Sequence, residues 1–138
     1  MRGPSVPRGV GYWGAGEMLA LPRPQSLVRP GWHAEDRRRI FDYLRGGVVC
    51  WASPGLACCR FAPCAKTLGS CELSDGEWVW PQGLEHYVGA HEVCLPEAFV
   101  ETMQANGWRV PPDVDLSAVQ GALEEAGQLF GDLSYWLE

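Results

Sequence analysis

The sequence lacks the features of several large protein classes. No segment reaches the roughly 18 consecutive apolar residues that a membrane-spanning helix needs, and residues 1–7 contain no continuous apolar stretch typical of a secretory signal. There is no internal repeat, no low-complexity segment and no serine in a nucleophile-elbow pattern. Gly14-Ala15-Gly16 follows no predicted strand and therefore does not indicate a phosphate-cradling loop. We expect a soluble, cytoplasmic protein.

Positive charge is scarce in the second half of the chain. The 138 residues carry a net charge of -6, which argues against general affinity for nucleic acid or anionic membranes. Residues 1–65 contain nine Arg against four acids, whereas residues 66–138 contain Lys66 and Arg109 against thirteen acids. The acidic half is either a solvated surface or a face for a basic protein partner. Likewise, Arg37–Arg39 form either a contact patch or solvated charges that pair with neighbouring acids.

Disulfide bonds are not expected in a reducing compartment. The cysteines are therefore candidates for buried thiols or metal ligands rather than a disulfide framework. There are six of them: Cys50, Cys58, Cys59, Cys64, Cys71 and Cys94.

The length of the chain supports one domain with its own core, formed from residues 10–138. Frequent prolines near the N-terminus exclude a long helix there. Residues 1–9 are therefore predicted to be a loose tail, and residues 10–31 an extended segment that wraps around the domain. The core is expected within residues 32–107, and a helical C-terminal segment within residues 113–138.

Local patterns predict an α+β fold with a small antiparallel sheet and three to four helices. Helical apolar spacing, bounded by capping residues, glycine or proline, predicts helices over 33–45, 83–91, 96–105 and a final helix capped by Asp115. Segments rich in β-formers predict strands over 48–51, 67–73 and 78–80. Ser53-Pro54-Gly55 is expected to end the first strand, and Asp75-Gly76 to form a tight turn between the other two.

The spacing of cysteines and histidines predicts a metal site. Cys59 and Cys64 are separated by four residues, and so are His86 and His91; both spacings are typical of structural zinc sites. A cysteine knuckle, a hairpin and a helix with both histidines repeat the order of a zinc finger. The gap from Cys64 to His86 is longer than the about twelve residues of a nucleic-acid-binding finger. We therefore predict a structural zinc ion in the zinc-finger-like knuckle-hairpin-helix core of a larger domain.

The two histidines impose a condition on their helix. Residues five apart point about 140° away from each other, so both can face one ion only if the helix tightens or ends near His91. Gly89 would allow such a distortion.

Several alternatives compete with this site. Cys58, Cys71 and Cys94 are alternative ligands, and all these side chains could instead be buried thiols and ordinary polar helix residues. Cys59 or Cys64 could form a nucleophile-base pair with His86 and an acid, although nothing local marks one thiol as activated. Aromatic residues that alternate along a strand, as in Trp78-Val79-Trp80, more often fill a core than bind a ligand.

The same stretch resembles a known family. Residues 75–88, Asp-Gly-Glu-Trp-Val-Trp-Pro-Gln-Gly-Leu-Glu-His-Tyr-Val, and residues 91–96, His-Glu-Val-Cys-Leu-Pro, are similar to the signature of an uncharacterised bacterial family of small proteins. Shorter matches extend the resemblance over residues 12–100, and it implies no established activity. The family knuckle is Cys-Arg-Phe-Cys, whereas this chain has Ala62 at the last position. Cys64 would therefore have to replace that ligand, and without it the metal would be lost.

Together these features favour a non-enzymatic bacterial binding protein, stabilised by zinc, that presents its acidic half to a protein partner. An immunity-type inhibitor of a basic toxin is the most concrete version. The alternative is a small enzyme or biosynthetic accessory factor that uses His86, His91 or a cysteine in a Trp-lined pocket.

Overall fold

The computed structural model of the protein describes residues 6–13, 21–64, 66–128 and 130–136. The elements in chain order are β1 (Arg8–Gly9), α1 (Arg37–Arg45), β2 (Val48–Cys58), β3 (Thr67–Ser74), β4 (Trp78–Pro81), α2 (Leu84–His91), α3 (Glu97–Ala105) and α4 (Leu116–Ala126). Short 3-10 helices lie at Pro24–Leu27 and Leu133–Tyr135. Among these helices, none has the length and apolar character to cross a membrane. The predicted α+β class is confirmed.

The four strands form one mixed sheet in the order β1-β4-β3-β2. β2, β3 and β4 pair antiparallel, as expected, whereas β1 pairs parallel to β4. The expectation of a loose tail over residues 1–9 is therefore wrong for residues 8 and 9; residues 1–5 lie outside the described residues. Arg8 N–H donates to Glu77 O at 2.8 Å, so the segment has backbone partners in the sheet.

The N-terminal strand is also joined to the C-terminal part of the chain. Gly9 N–H donates to Asp132 O at 2.7 Å, and Asp132 N–H donates to Pro7 O at 2.8 Å. A Cβ at position 9 would lie only 2.0 Å from Phe130 O, which explains why glycine occupies this position. β1 is therefore held between β4 and the segment that precedes the last 3-10 helix.

Two predicted boundaries need correction. β2 does not end at residues 53–55 but continues to Cys58, because its pairing shifts register between Ala52 and Ala57 and resumes beyond the shift. The predicted helix 33–45 begins only at Arg37. His33 has a φ of 43°, which lies outside the range of a right-handed helix. The Trp32 carbonyl accepts hydrogen bonds from the Arg37 guanidinium.

The central strand β4 is buried on both faces. Trp78 and Trp80 are 0% exposed and pack on the Phe99 ring of α3, with ring centroids 4.7 and 5.3 Å away. Both indole N–H groups are satisfied, since Trp78 donates to Thr102 Oγ1 and Trp80 donates to the Leu44 carbonyl. Val79 points to the opposite face, where it joins a second cluster with residues of α4. The tryptophans therefore fill the core, as the strand pattern indicates.

A buried polar network fixes the β3–β4 turn to the helices. Asp75 Oδ1 accepts the N–H groups of Glu77 and Trp78, at 2.8 and 2.7 Å. Its Oδ2 accepts the Tyr43 hydroxyl at 2.5 Å, and the same hydroxyl oxygen accepts Asn106 Nδ2 at 3.0 Å. Burial and the nearby Asp75 carboxylate raise the pKa of Tyr43 far above its usual value, so Tyr43 remains a donor. The turn predicted at Asp75-Gly76 is confirmed, and Gly76 has the positive φ expected there.

We expect Tyr43→Phe to lower the free energy of unfolding by about 1.5–3 kcal/mol, because it leaves a buried carboxylate oxygen and an amide donor without their partner. The measurement is chemical denaturation followed by tryptophan fluorescence. Tyr12→Phe is the matched control, since the Tyr12 hydroxyl is buried without a hydrogen-bond partner among the described residues. Its removal should be neutral or slightly stabilising. Equal losses in the two variants would contradict a special role for the Asp75 network.

Candidate metal centre

The two cysteines lie in the loop between β2 and β3. Cys59 N–H donates to Lys66 O at 2.8 Å, which keeps the first cysteine close to the start of β3. Cys64 N–H donates to Phe61 O, also at 2.8 Å, so the chain turns tightly between the two thiols. Arg60 N–H donates to the Tyr87 hydroxyl at 3.0 Å, which attaches this loop to α2.

The two histidines lie on α2, which begins directly after Gly83. A φ of 96° at Gly83 lets the chain pass from the turn after β4 into the helix within two residues. α2 ends at His91, and the next residue, Glu92, takes a left-handed conformation with φ 55°. The helix therefore ends at His91, as is needed for both histidines to face one ion. The two imidazole ring centroids lie 5.0 Å apart.

Gly89 has a different role from the one expected. A Cβ at this position would lie 3.2 Å from a ring carbon of Phe41, so glycine permits the close approach of α2 to α1. The convergence of the histidines comes from the end of the helix and not from a distortion at Gly89.

The four predicted ligands form one group that could hold a metal ion. Cys59 Sγ lies 3.3 Å from His91 Nε2, and Cys64 Sγ lies 3.4 Å from His86 Nε2. All four donor atoms lie within 4.8 Å of one another. Bond lengths of about 2.3 Å to sulfur and about 2.0 Å to nitrogen place tetrahedral ligand atoms about 3.3–3.8 Å apart. The two thiol–imidazole pairs already lie close to this distance, so only the longer separations, which reach at most 4.8 Å, would shorten around an ion.

Cys64 supplies the second thiol of the group, since the side chain of Ala62 has no donor atom. The turn from Phe61 to Cys64 places the Cys64 thiol beside His86, two residues beyond Ala62. Four donor side chains therefore come together with Ala62 in the loop.

Burial shifts the pKa of two of the four donor side chains. It raises the pKa of the Cys59 thiol, an effect that the neighbouring Cys64 reinforces. Burial also lowers the pKa of His86, with smaller contributions from His91 and Lys66. A neutral imidazole is the form that binds a metal, whereas the thiols must lose their protons when the ion binds. Metal binding at this group should therefore release protons.

Aromatic side chains surround the group. Phe61 stacks on the His91 imidazole with ring centroids 4.2 Å apart and an angle of 7° between the planes. Cys59, Tyr87 and Val93 form a small buried cluster against which Phe61 packs. Neither Phe61 nor Tyr87 is predicted from the ligand spacing. Their position in the sequence is the signal that could have identified them, since Phe61 lies between the two cysteines and Tyr87 follows His86 directly.

The alternative ligands lie outside the group. Cys58 is exposed, while Cys71 and Cys94 are partly buried elsewhere. In the part of the chain that the structure describes, no other group of three or more metal-ligating side chains comes together. Neither His86 nor His91 pairs with a carboxylate among the described residues. The described residues therefore do not supply the acid that a catalytic set of cysteine, histidine and acid would need.

No protein-family model, curated protein or solved structure matches the chain.

We expect Cys64→Ser to lower the metal affinity by more than about 100-fold, because even changes behind the ligands commonly cost about 10–100-fold. The measurement is metal content per chain by elemental analysis, followed by competition with a chelator. Cys58→Ser is the matched control, since this exposed thiol lies next to Cys59 but outside the group. An equal loss in both variants, or no loss in either, would contradict the assignment of Cys64.

Proposed function

We propose that Cys59, Cys64, His86 and His91 bind a structural zinc ion. The convergence of two thiols and two imidazoles supports this proposal, because this donor set suits zinc and four protein ligands complete its tetrahedral shell. No coordination position then remains for water or substrate, which favours a structural over a catalytic ion.

The proposed ion would strengthen the contact between two parts of the chain that already pack against each other. The loop from Cys59 to Cys64 contacts α2 through the Arg60 N–H to Tyr87 bond and the packing of Phe61 on His91. A zinc ion would add four bonds between the same segments and close the chain between residues 59 and 91. Its binding energy would then contribute directly to the stability of the domain.

Removal of zinc should destabilise the protein. We expect one zinc ion per chain in protein purified without chelator, and a melting temperature lower by about 10 °C or more after treatment with chelator. The measurements are elemental analysis and a thermal melt on the same sample. Re-addition of zinc should restore the melting temperature. Zinc far below one per chain, or a melting temperature that chelator leaves unchanged, would reject a structural ion.

We also propose that the protein is a non-enzymatic binding protein whose partner carries positive charge. The supporting surface is at the C-terminal side, where no Lys or Arg follows Arg109. Exposed carboxylates occur before and along α4, at Asp113, Asp115, Glu124 and Glu125. An acidic surface of this kind favours association with a basic protein. This proposal has two more specific parts. The protein would be an immunity-type inhibitor, and it would belong to the bacterial family that residues 12–100 resemble.

The rival function, an enzyme or accessory factor with a Trp-lined pocket, has less support. Trp78 and Trp80 are 0% exposed and cannot line a cavity open to substrate. The four-donor group also leaves no open position on a tetrahedral ion.

The binding proposal predicts capture of a basic protein encoded by a neighbouring gene when the full chain is used as bait. Glu124→Lys/Glu125→Lys should weaken this capture strongly, and so should added salt, because both reduce the electrostatic attraction. Glu35→Lys/Asp42→Lys is the matched control, since it changes two exposed acids and the net charge equally but lies at α1. Failure to capture any such protein, or an equal effect of the two double variants, would overturn the proposal.

A further inference from the structure

One side of the candidate metal centre is open to solvent. Cys59 is only 7% exposed and belongs to the buried cluster with Tyr87 and Val93, whereas Cys64 is exposed. Both histidines are partly buried. A sulfur that binds a metal is a thiolate, and a thiolate reacts with oxidants where solvent reaches it. Cys64 is therefore the donor that a small oxidant in water meets first.

The second thiol of the group lies within reach of the first. Cys64 N–H donates to Phe61 O at 2.8 Å, so a tight turn brings the two cysteines together on one loop. Their sulfur atoms lie at most 4.8 Å apart. An S–S bond is about 2.05 Å long, so the two atoms would have to approach each other by less than about 3 Å. Ala62 and Pro63, which lie between the cysteines, are exposed, and the loop can therefore close without a rearrangement of the core.

We propose that Cys64 is the site at which hydrogen peroxide oxidises this protein, and that the product is a disulfide between Cys59 and Cys64 that releases the ion. The proposal rests on the structural zinc ion proposed above and adds a reaction to that site. Transient disulfides of this kind are the form in which redox-sensing cysteines are oxidised in reducing compartments.

The reaction balances in two steps. The Cys64 sulfur attacks one oxygen of hydrogen peroxide, so that an S–O bond forms, the O–O bond breaks and hydroxide leaves. The Cys59 sulfur then attacks the Cys64 sulfur, so that the S–S bond forms, the S–O bond breaks and a second hydroxide leaves. Each hydroxide takes a proton from solvent and becomes water. Two electrons pass from the two sulfurs to the peroxide, while zinc keeps its charge and loses two of its four ligands.

The disulfide would not replace the link that the ion provides. It joins two residues of the same loop, whereas the ion connects that loop to His86 and His91 on α2. A cross-link also stabilises a protein less as the loop that it closes becomes shorter. The oxidised protein should therefore be about as unstable as the protein without metal.

Treatment with hydrogen peroxide tests the release of the ion. The full chain is loaded with zinc, exposed to a small excess of peroxide and followed with a zinc-sensitive dye and a thermal melt. We expect release of about one zinc ion per chain, and a melting temperature close to that of the chelator-treated protein. A dithiol reductant followed by zinc should restore both values. Retention of zinc by the peroxide-treated protein would overturn the proposal.

Mass spectrometry of the peroxide-treated protein identifies the bond. Trypsin cleaves between the two cysteines, so a disulfide between Cys59 and Cys64 joins peptide 46–60 to peptide 61–66. Peptide 46–60 contains two further cysteines, which fragmentation distinguishes from Cys59. The joined peptides should appear at the rate at which zinc is released. Zinc release without joined peptides, or a bond to one of the other cysteines, would overturn the assignment.

Cys64→His separates oxidation from the loss of a ligand, because an imidazole can bind zinc but cannot form a disulfide. We expect this variant to keep its zinc and to release it in peroxide at least about tenfold more slowly, since the remaining thiol, Cys59, is buried. Cys58→Ser is the matched control, because it removes an exposed thiol that lies next to Cys59 but outside the group. Its release rate should be unchanged. Equal release rates in the unchanged chain and in Cys64→His would overturn the proposal.

Zinc content before oxidation distinguishes this proposal from that of the structural ion. Zinc far below one per chain in the untreated protein would reject the ion and, with it, the release step. Zinc near one per chain that persists after peroxide would support the ion and overturn only the oxidation. If Cys64→His holds no zinc, the joined peptides of the unchanged chain decide the proposal.

Discussion

The need to cover both faces of β4 determines the arrangement of the whole domain. This strand has only four residues, yet Trp78, Val79 and Trp80 are all 0% exposed. The two indoles require helices on one side, where α3 supplies Phe99 and Thr102 and α1 supplies the Leu44 carbonyl. Val79 requires a second layer, which α4 supplies on the opposite side. A strand in the middle of the sheet, with neighbours on both edges, is the arrangement that meets these demands.

The candidate metal centre follows from the position of β4 because the chain passes directly from this strand into α2. Gly83 makes the connection so short that the histidine helix starts at the end of the strand, next to the β2–β3 loop. The cysteines therefore need only a tight turn to meet the histidines. The second thiol lies two residues beyond Ala62, and the turn from Phe61 to Cys64 brings it to His86.

Local signals predicted the elements that depend on neighbouring residues. The turn at Asp75-Gly76 and the Asp115 cap follow from the types of adjacent residues. The four donor side chains are far apart in the chain, but the spacing within each pair predicts the group. The features that were missed depend on distant partners. β1 has two residues without a strand pattern and exists because Glu77 and Asp132 accept its N–H groups. The packing of Phe61 on His91 likewise requires the tertiary fold. The late start of α1 is an exception, because it accompanies the positive φ of the nearby His33, which no residue pattern indicates.

The position of β1 has a consequence for the order in which the protein can fold. Arg8 and Gly9 are synthesised before the rest of the sheet, but their hydrogen-bond acceptors, Glu77 and Asp132, are made about 70 and about 120 residues later. Trp136 Nε1 also donates to the Tyr12 carbonyl, so the segment around β1 can complete its contacts only after residue 136 has been synthesised. The hairpin and the helix after it can assemble during synthesis from local contacts. The edge of the sheet closes last, and until then the β4 backbone groups that face β1 are open to pairing with other chains.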